Sequence, residues 1–324
     1  MRIRIKTLAL AALVTLAWPV LSTAQTAWPS KPLSLIIPYP PGGTSDVVGR
    51  QIAQRLSEEM GQTVIVENKA GAATAIGATH VARAPKDGYT LLLSAGTTFT
   101  VNPHFNDKLQ YKLEDFEPVA LVCTVPFAFV VKKDFPAKTL KEFAAYAKAN
   151  PNKINNATNG QGSMVHLLGE MIATGLDVKM AQIHYKGAAP AMTDIIGGVV
   201  DSNVEALTNA VPNVNAGQYR ALAVLSADRQ ALMPNVPTFR ELGYPDIVGE
   251  TWYGVFAPAG TPKPVVDKLN AALRKITSSA SFVDSMRKIG NEAKSGSPTD
   301  LLATTQDQSK VWSGLIKRLN ITAQ

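Results

Sequence analysis

The stretch that decides the fold is LSLIIPYPPGGTSDVVGRQIAQRLSEEM, residues 33–60. Leu33 to Ile37 is a short apolar run of strand length. Pro40 and Pro41 stiffen its exit, and Gly42-Gly43 let the backbone turn with no Cβ in the way. Val48, Ile52 and Leu56 then recur at helical spacing from about Ser45 to Met60. Thr44 or Ser45 is in position to cap that helix, whose first-turn N–H groups have no intrahelical acceptor. Such a helix start carries roughly half a positive charge and favours an anion. The whole segment reads as strand, glycine turn and helix, with the turn built for a carboxylate or a similar group. Gly43 is the position whose N–H, or that of Thr44, is expected to meet a carboxylate oxygen, in a turn that calls for positive φ.

The pattern repeats downstream. Thr63 to Val66 is a second strand, Asn68 to Ala72 a turn, Ile76 to Ala84 a helix and Tyr89 to Leu93 a third strand after Asp87-Gly88. This βαβαβ opening predicts an α/β fold with a mostly parallel sheet. A long β-rich stretch, Pro118 to Val131, follows with no helix before it. A second α/β series then starts with a helix capped by Thr139 and another that begins at Ser163. It continues through a strand at Ile183 to Tyr185, a helix at Pro190 to Ile196 and a strand at Ala221 to Leu225. Trp252 to Ala257 returns as a strand, and helices near Val265 to Ile276 and Pro298 to Leu319 close the chain. Two α/β series joined by two extended crossings predict two lobes. Lobe 1 takes residues 25–125 and 253–324, and lobe 2 takes 126–252.

Two further glycine-bearing junctions match the first: Asn159-Gly160-Gln161-Gly162-Ser163 and Tyr185-Lys186-Gly187-Ala188-Ala189-Pro190. Ligands of open α/β sheets bind outside the carboxyl ends of strands. A cleft between the lobes would therefore be lined from both sides by N–H groups and small hydroxyls, which suit a carboxylate without arginine. No phosphate-loop motif occurs, and Gly160-Gln161-Gly162 lacks the third glycine of a dinucleotide fingerprint. No G-x-S-x-G or H-E-x-x-H occurs either. His166 and Glu170 share a helix face but have no third ligand in view, so neither a metal nor a cofactor is expected. The alternative to a binding protein is a hydrolase using His166 or His184 as its base.

Composition agrees with an exported globular protein. Arg2, Arg4 and Lys6 precede an apolar run from Thr7 to Leu21, and Ser22-Thr23-Ala24 follow, the pattern of a cleavable secretory signal over residues 1–24. That run is too short to span a bilayer core of roughly 30 Å. The formal charge of +7 includes those three leader cations, and the remaining Lys and Arg form no cluster of the kind that binds nucleic acid. The single cysteine, Cys123, excludes an intramolecular disulfide and reads as a buried thiol in a strand.

The segments WPSKP (28–32), YPPGGTSD (39–46), VENKAGA (66–72), DGYTLLLS (87–94), HYKGAAPAMTDIIGG (184–198), VNAGQYRALAVLSADR (214–229), NVPTFRELGYP (235–245) and APAGTP (257–262) together resemble the Bug-type, TctC-like periplasmic solute-binding proteins of the tripartite tricarboxylate transporter system. The resemblance spans the mature chain. It implies a two-lobed periplasmic-binding-protein fold, of the Venus-flytrap, type II-like kind, that closes on a ligand. It implies a di- or tricarboxylate, an acidic amino acid or an aromatic carboxylate as ligand, no catalysis, and delivery by a monomer to a permease of two integral subunits. A sensory co-receptor presenting the same ligand is the other role it allows. It carries ligand contacts onto Tyr39, Gly42, Gly43, Thr44 and Asp46, onto Ser94, Ala95 and Thr97, and onto Asn159, Ser163, Tyr185, Gly187 and Ala188. The sequence departs from the family pattern at Ala72 to Ala75, at Lys86 and at Glu205, where an aspartate is usual. Glu205 reads either as a cleft residue or as a solvated acid.

Overall fold

The computed structural model describes residues 28–106 and 108–319; the leader reading falls outside them. The first series runs β1 (Leu33–Ile37), α1 (Thr44–Met60), β2 (Val64–Asn68), a 3-10 turn (Ala72–Thr74), α2 (Ala75–Ala82), β3 (Thr90–Ala95), α3 (Thr97–Thr100), α4 (Asn102–Phe105) and the long strand β4 (Phe116–Lys132). The second runs α5 (Leu140–Ala149), β5 (Ile154–Thr158), α6 (Met164–Gly175), β6 (Met180–His184), α7 (Ala188–Ile196), β7 (Ser202–Ala206), α8 (Leu207–Asn215) and β8 (Tyr219–Val224). The return comprises β9 (Glu250–Pro258), α9 (Lys263–Ser278), α10 (Ala280–Lys288), β10 (Glu292–Ala293) and α11 (Pro298–Leu319).

Strand pairing divides the molecule. In the first lobe the order is β2-β1-β3-β9-β4, with β10 added to β4. In the second, β6-β5-β7 leads to β4, which also carries β8. Each lobe thus has three parallel strands followed by antiparallel ones. The mostly parallel sheet expected from the opening segment holds only for those triplets. The partners of β4 change along its length: Phe116 to Pro126 pair with β9, and Phe127 to Lys132 pair with β7 and β8. One continuous strand therefore passes from lobe to lobe.

Packing follows the sequence pattern. Val48, Ile52 and Leu56 on α1 are buried with Leu33 and Leu35 of β1. A fully buried Leu or Ile contributes about 1.5–3 kcal/mol, so this one stripe fixes the helix against the sheet. Phe99, Tyr111, Phe116, Trp252 and Phe256 form an aromatic cluster under the first lobe. α11 lies along β4 and is tied in by Trp252 Nε1 donating to Gln308 Oε1 at 3.0 Å. Cys123 is fully buried in β4, and burial pushes its thiol up to about 12, so it is a packing residue. No helix among the described residues is long and apolar enough to cross a membrane.

Candidate functional site

A cavity of about 600 Å³ lies between the lobes. Its wall takes residues from six strand-to-helix junctions: β1–α1, β2–α2 and β3–α3 from one lobe, β5–α6, β6–α7 and β7–α8 from the other. Three longer helices present their first two residues there: Thr44 and Ser45 of α1, Met164 and Val165 of α6, Ala188 and Ala189 of α7. First-turn N–H groups lack intrahelical acceptors, so positive dipole ends converge on the cavity from both sides.

The β1–α1 turn is held from behind. Gly43 is the N-cap and no side chain caps the helix, so Thr44 and Ser45 lie inside α1 and do not cap it as the sequence suggested. The clasp is Asp46 instead: its carboxylate accepts Gly42 N–H at 3.2 Å, Arg50 Nε at 3.0 Å and Asn68 Nδ2 at 3.1 Å. Burial alone would raise this carboxyl; the Arg50, Gly42 and Asn68 hydrogen bonds overcome that and hold it below the usual range. Asn68 Nδ2 also donates to the Tyr39 carbonyl. Positive φ falls on Gly42, at 86°, whereas Gly43 has an ordinary φ of −90°.

Of the residues singled out from sequence, Tyr39, Gly43, Thr44, Ala95, Thr97, Asn159, Ser163, Tyr185, Gly187, Ala188 and Glu205 line the cavity together. Gly42, Asp46 and Ser94 are not on the wall: Asp46 and Ser94 are buried, and Gly42 is exposed at the turn. Ser94 Oγ and Thr98 Oγ1 share a hydrogen bond of 2.6 Å, and Thr98 Oγ1 and Thr74 Oγ1 share one of 2.9 Å, so Ser94 supports the β2–α2 loop. Tyr39 and Thr97 hydroxyls meet at 3.2 Å on the wall, and Ser45 meets Tyr253 at 2.8 Å. Tyr185 gives its hydroxyl to Asp194 at 2.6 Å, a bond that ties β6 to α7.

Glu205 is buried, 1% exposed, so it is not a solvated acid. Its carboxylate accepts Asn203 Nδ2 at 2.9 Å and Asn209 Nδ2 at 3.0 Å. Sequence reasoning missed Asn209, Thr251 and the loop Ala70 to Thr74, all on the wall. Thr251 Oγ1 and Asn159 Oδ1 are buried polar atoms with no hydrogen-bond partner. An unsatisfied group of this kind costs about 1–3 kcal/mol, which a ligand acceptor would recover at the Thr251 hydroxyl and a ligand donor at the Asn159 oxygen.

The two histidines of the hydrolase reading lie outside the wall. Ser163 caps α6 by accepting the His166 N–H, and His166 Nδ1 accepts the Gly162 N–H at 3.1 Å. Burial, then repulsion from His184, push His166 down to about 4. His184 Nδ1 is paired with Thr158 Oγ1 at 2.7 Å. Both imidazoles brace the loop from behind, and Thr158, whose hydroxyl is paired with His184, lies off the cavity wall as the two rings do. No group of three or more metal-ligating side chains occurs among the described residues.

A family model for the tripartite tricarboxylate transporter family receptor, TctC, matches residues 48–321. The chain is 35% identical to protein BugT of Bordetella pertussis over 292 residues, covering 90% of each. It is 38% identical to the solved periplasmic binding protein BugD, with a TM-score of 0.87 over 92% of this chain and 100% of that one. Rpa4515 of R. palustris, solved with adipate, is 32% identical, with a TM-score of 0.89 over 92% and 100%. The two-lobed α/β fold expected from the sequence is the fold of these neighbours.

Proposed function

The chain belongs to the tripartite tricarboxylate transporter receptor family, and we propose that it captures a small carboxylate in the periplasm as a monomer, without catalysis. In this reading it then surrenders the acid to a permease of two integral membrane subunits. The observation that carries the reading is the convergence of α1, α6 and α7 on one cavity, with hydroxyls between them and no arginine on the wall. Backbone dipoles fixed in a water-poor cleft bind an anion more strongly than the same groups do in water. A volume of about 600 Å³ suits a molecule of a few carbons to one aromatic ring. The adipate in Rpa4515 supports an acid of that size.

Of the lobe boundaries at 125/126 and 252/253, the change of partners along β4 after Pro126 supports the first, whereas the second falls inside β9, which pairs with the first-lobe half of β4 from Glu250 on; both form part of the proposal. So does the assignment of the eleven wall residues as ligand contacts. The test is a thermal-shift screen of mono-, di-, tri- and aromatic carboxylates, because a ligand selective for the folded state raises the unfolding temperature. At least one acid should raise it in a saturable way, with only modest sensitivity to salt, since a buried site is weakly screened. A flat response across the panel, or stabilisation that salt abolishes, contradicts the proposal.

A further inference from the structure

Glu205 is an acid on the wall of a cavity whose other features favour an anion. It sits at the carboxyl end of β7, fully buried, and forms no ion pair among the described residues. The groups that hold it, the Asn203 and Asn209 amides and the Ala206 backbone N–H, are neutral. β7 and α8 carry no other ionisable residue, and neither does the segment of β4 paired with them, Phe127 to Val131. On β8, burial and then the Glu205 charge raise Tyr219, and Arg220 is engaged by the Phe135 and Ala137 carbonyls. On α7, Asp194 is engaged by Tyr185. The cavity wall adds the phenols of Tyr39, Tyr185 and Tyr253 and the exposed Lys186.

An ionised Glu205 and a bound carboxylate would place two like charges in one cavity, where the one cationic side chain among the described lining residues, Lys186, is exposed to solvent. Two acids confined in this way do not both ionise; one keeps its proton. The ligand, held by N–H groups at three helix starts, has the stronger call on the negative charge. Burial already pushes Glu205 up to about 7, so its proton is available near neutrality. A protonated carboxyl is an O–H donor, whereas the ionised form only accepts. Resting on the carboxylate reading above, we propose that Glu205 is a specificity-determining residue that meets the bound acid in its protonated form. It donates its carboxyl hydrogen to a ligand oxygen, so binding takes up a proton from solution. This selects an acceptor at that end of the ligand and disfavours an ammonium group, which would require Glu205 ionised.

The test is calorimetric titration of the mature chain with adipate, succinate and benzoate, and with aspartate as the ammonium-bearing probe. Titrations run at pH values of about 6.5, 7.5 and 8.5, in two buffers of different ionisation enthalpy. The three acids stay ionised over this range, so proton uptake reports the protein. Affinity for the acid that binds should fall about tenfold or more from the lowest to the highest pH, with a buffer-dependent heat approaching one proton taken up. Glu205→Gln keeps an N–H donor, and should bind with both effects gone. Wild-type affinity that is constant with pH and free of buffer-dependent heat overturns the inference while leaving the carboxylate reading intact. Aspartate binding that tightens as pH rises also overturns it, because Glu205 then serves a cation. A flat response across the whole carboxylate screen overturns the carboxylate reading and this inference with it; an acid found there outside these three takes their place in the titration.

Discussion

Two adjacent glycines separate the fold from the ligand. Gly42 has φ 86°, and a Cβ there would meet nothing within 4 Å, so its requirement is conformational alone. Gly42→Ala should cost about 1 kcal/mol of stability and leave affinity nearly unchanged. Gly43 is the reverse. Its φ of −90° admits any residue, but a Cβ there would stand 4.0 Å from the Ala188 Cβ of the opposite lobe, at the cavity wall. Gly43→Val should fold and lose more than tenfold in affinity, because branched methyls displace a ligand from first-turn N–H groups and losing one charge-assisted hydrogen bond costs about 1.5–3 kcal/mol. Gly43→Ala should fall between. Denaturant unfolding and calorimetric titration of the variants check both halves. A Gly43→Val protein that is folded and binds like the wild type would remove the turn from the site.

At the scale of elements, the β2–α2 connection is strained. Ala72, Ala73 and Thr74 all have positive φ, at 45°, 49° and 80°. Left-handed backbone costs a residue with a Cβ roughly 1 kcal/mol or more. Hydrogen bonds hold the segment there: Asn102 Nδ2 donates to the Ala73 carbonyl and to Thr74 Oγ1, and Thr98 engages Thr74. Ala73→Gly should therefore stabilise the protein by about 0.5–1 kcal/mol, read as a shift in denaturant midpoint at unchanged slope. A destabilised Ala73→Gly would mean that the run carries no such strain. Nothing in the residues AAT announces this conformation, which is why the sequence located the neighbouring junctions and not this one. The elements it did locate follow ordinary chemistry: the α1 stripe, the Thr139 and Ser163 caps and the extended β4. It missed β5 and β7, because INNAT and SNVEA look too polar for interior strands. In the fold several of their polar groups pair: Ser202 Oγ donates to Asn156 Oδ1 at 2.9 Å, and Asn156 Nδ2 to Gln182 Oε1 at 2.8 Å. Helix α8 was hidden by Pro212 within it. Glu205 was visible as an unusual residue, but its burial depends on β7, β4 and β8 meeting, which a local pattern does not encode.

The whole molecule is two lobes of matching strand order, connected by β4 and β9. Equivalent junctions of the two lobes face each other, so the six loops meet in one place. The lobes approach closely there: a Cβ added at Gly187, where φ is 114°, would lie 3.1 Å from Pro40 Cγ of the other lobe. Gly162 faces the Phe105 ring in the same way. These contacts describe a closed arrangement, and rotation about the crossing strands is the motion that would open it. In the proposed function, closure brings helix starts from both lobes onto one carboxylate-bearing ligand. A crystal structure of the chain with the tightest acid from the screen tests it most directly. One ligand should lie between the lobes, with a carboxylate oxygen within hydrogen-bonding distance of the Thr44 or Ser45 N–H and a second contact from the Ala188 or Ala189 N–H. A ligand bound by one lobe alone, or held at surface lysines outside the cleft, would contradict it.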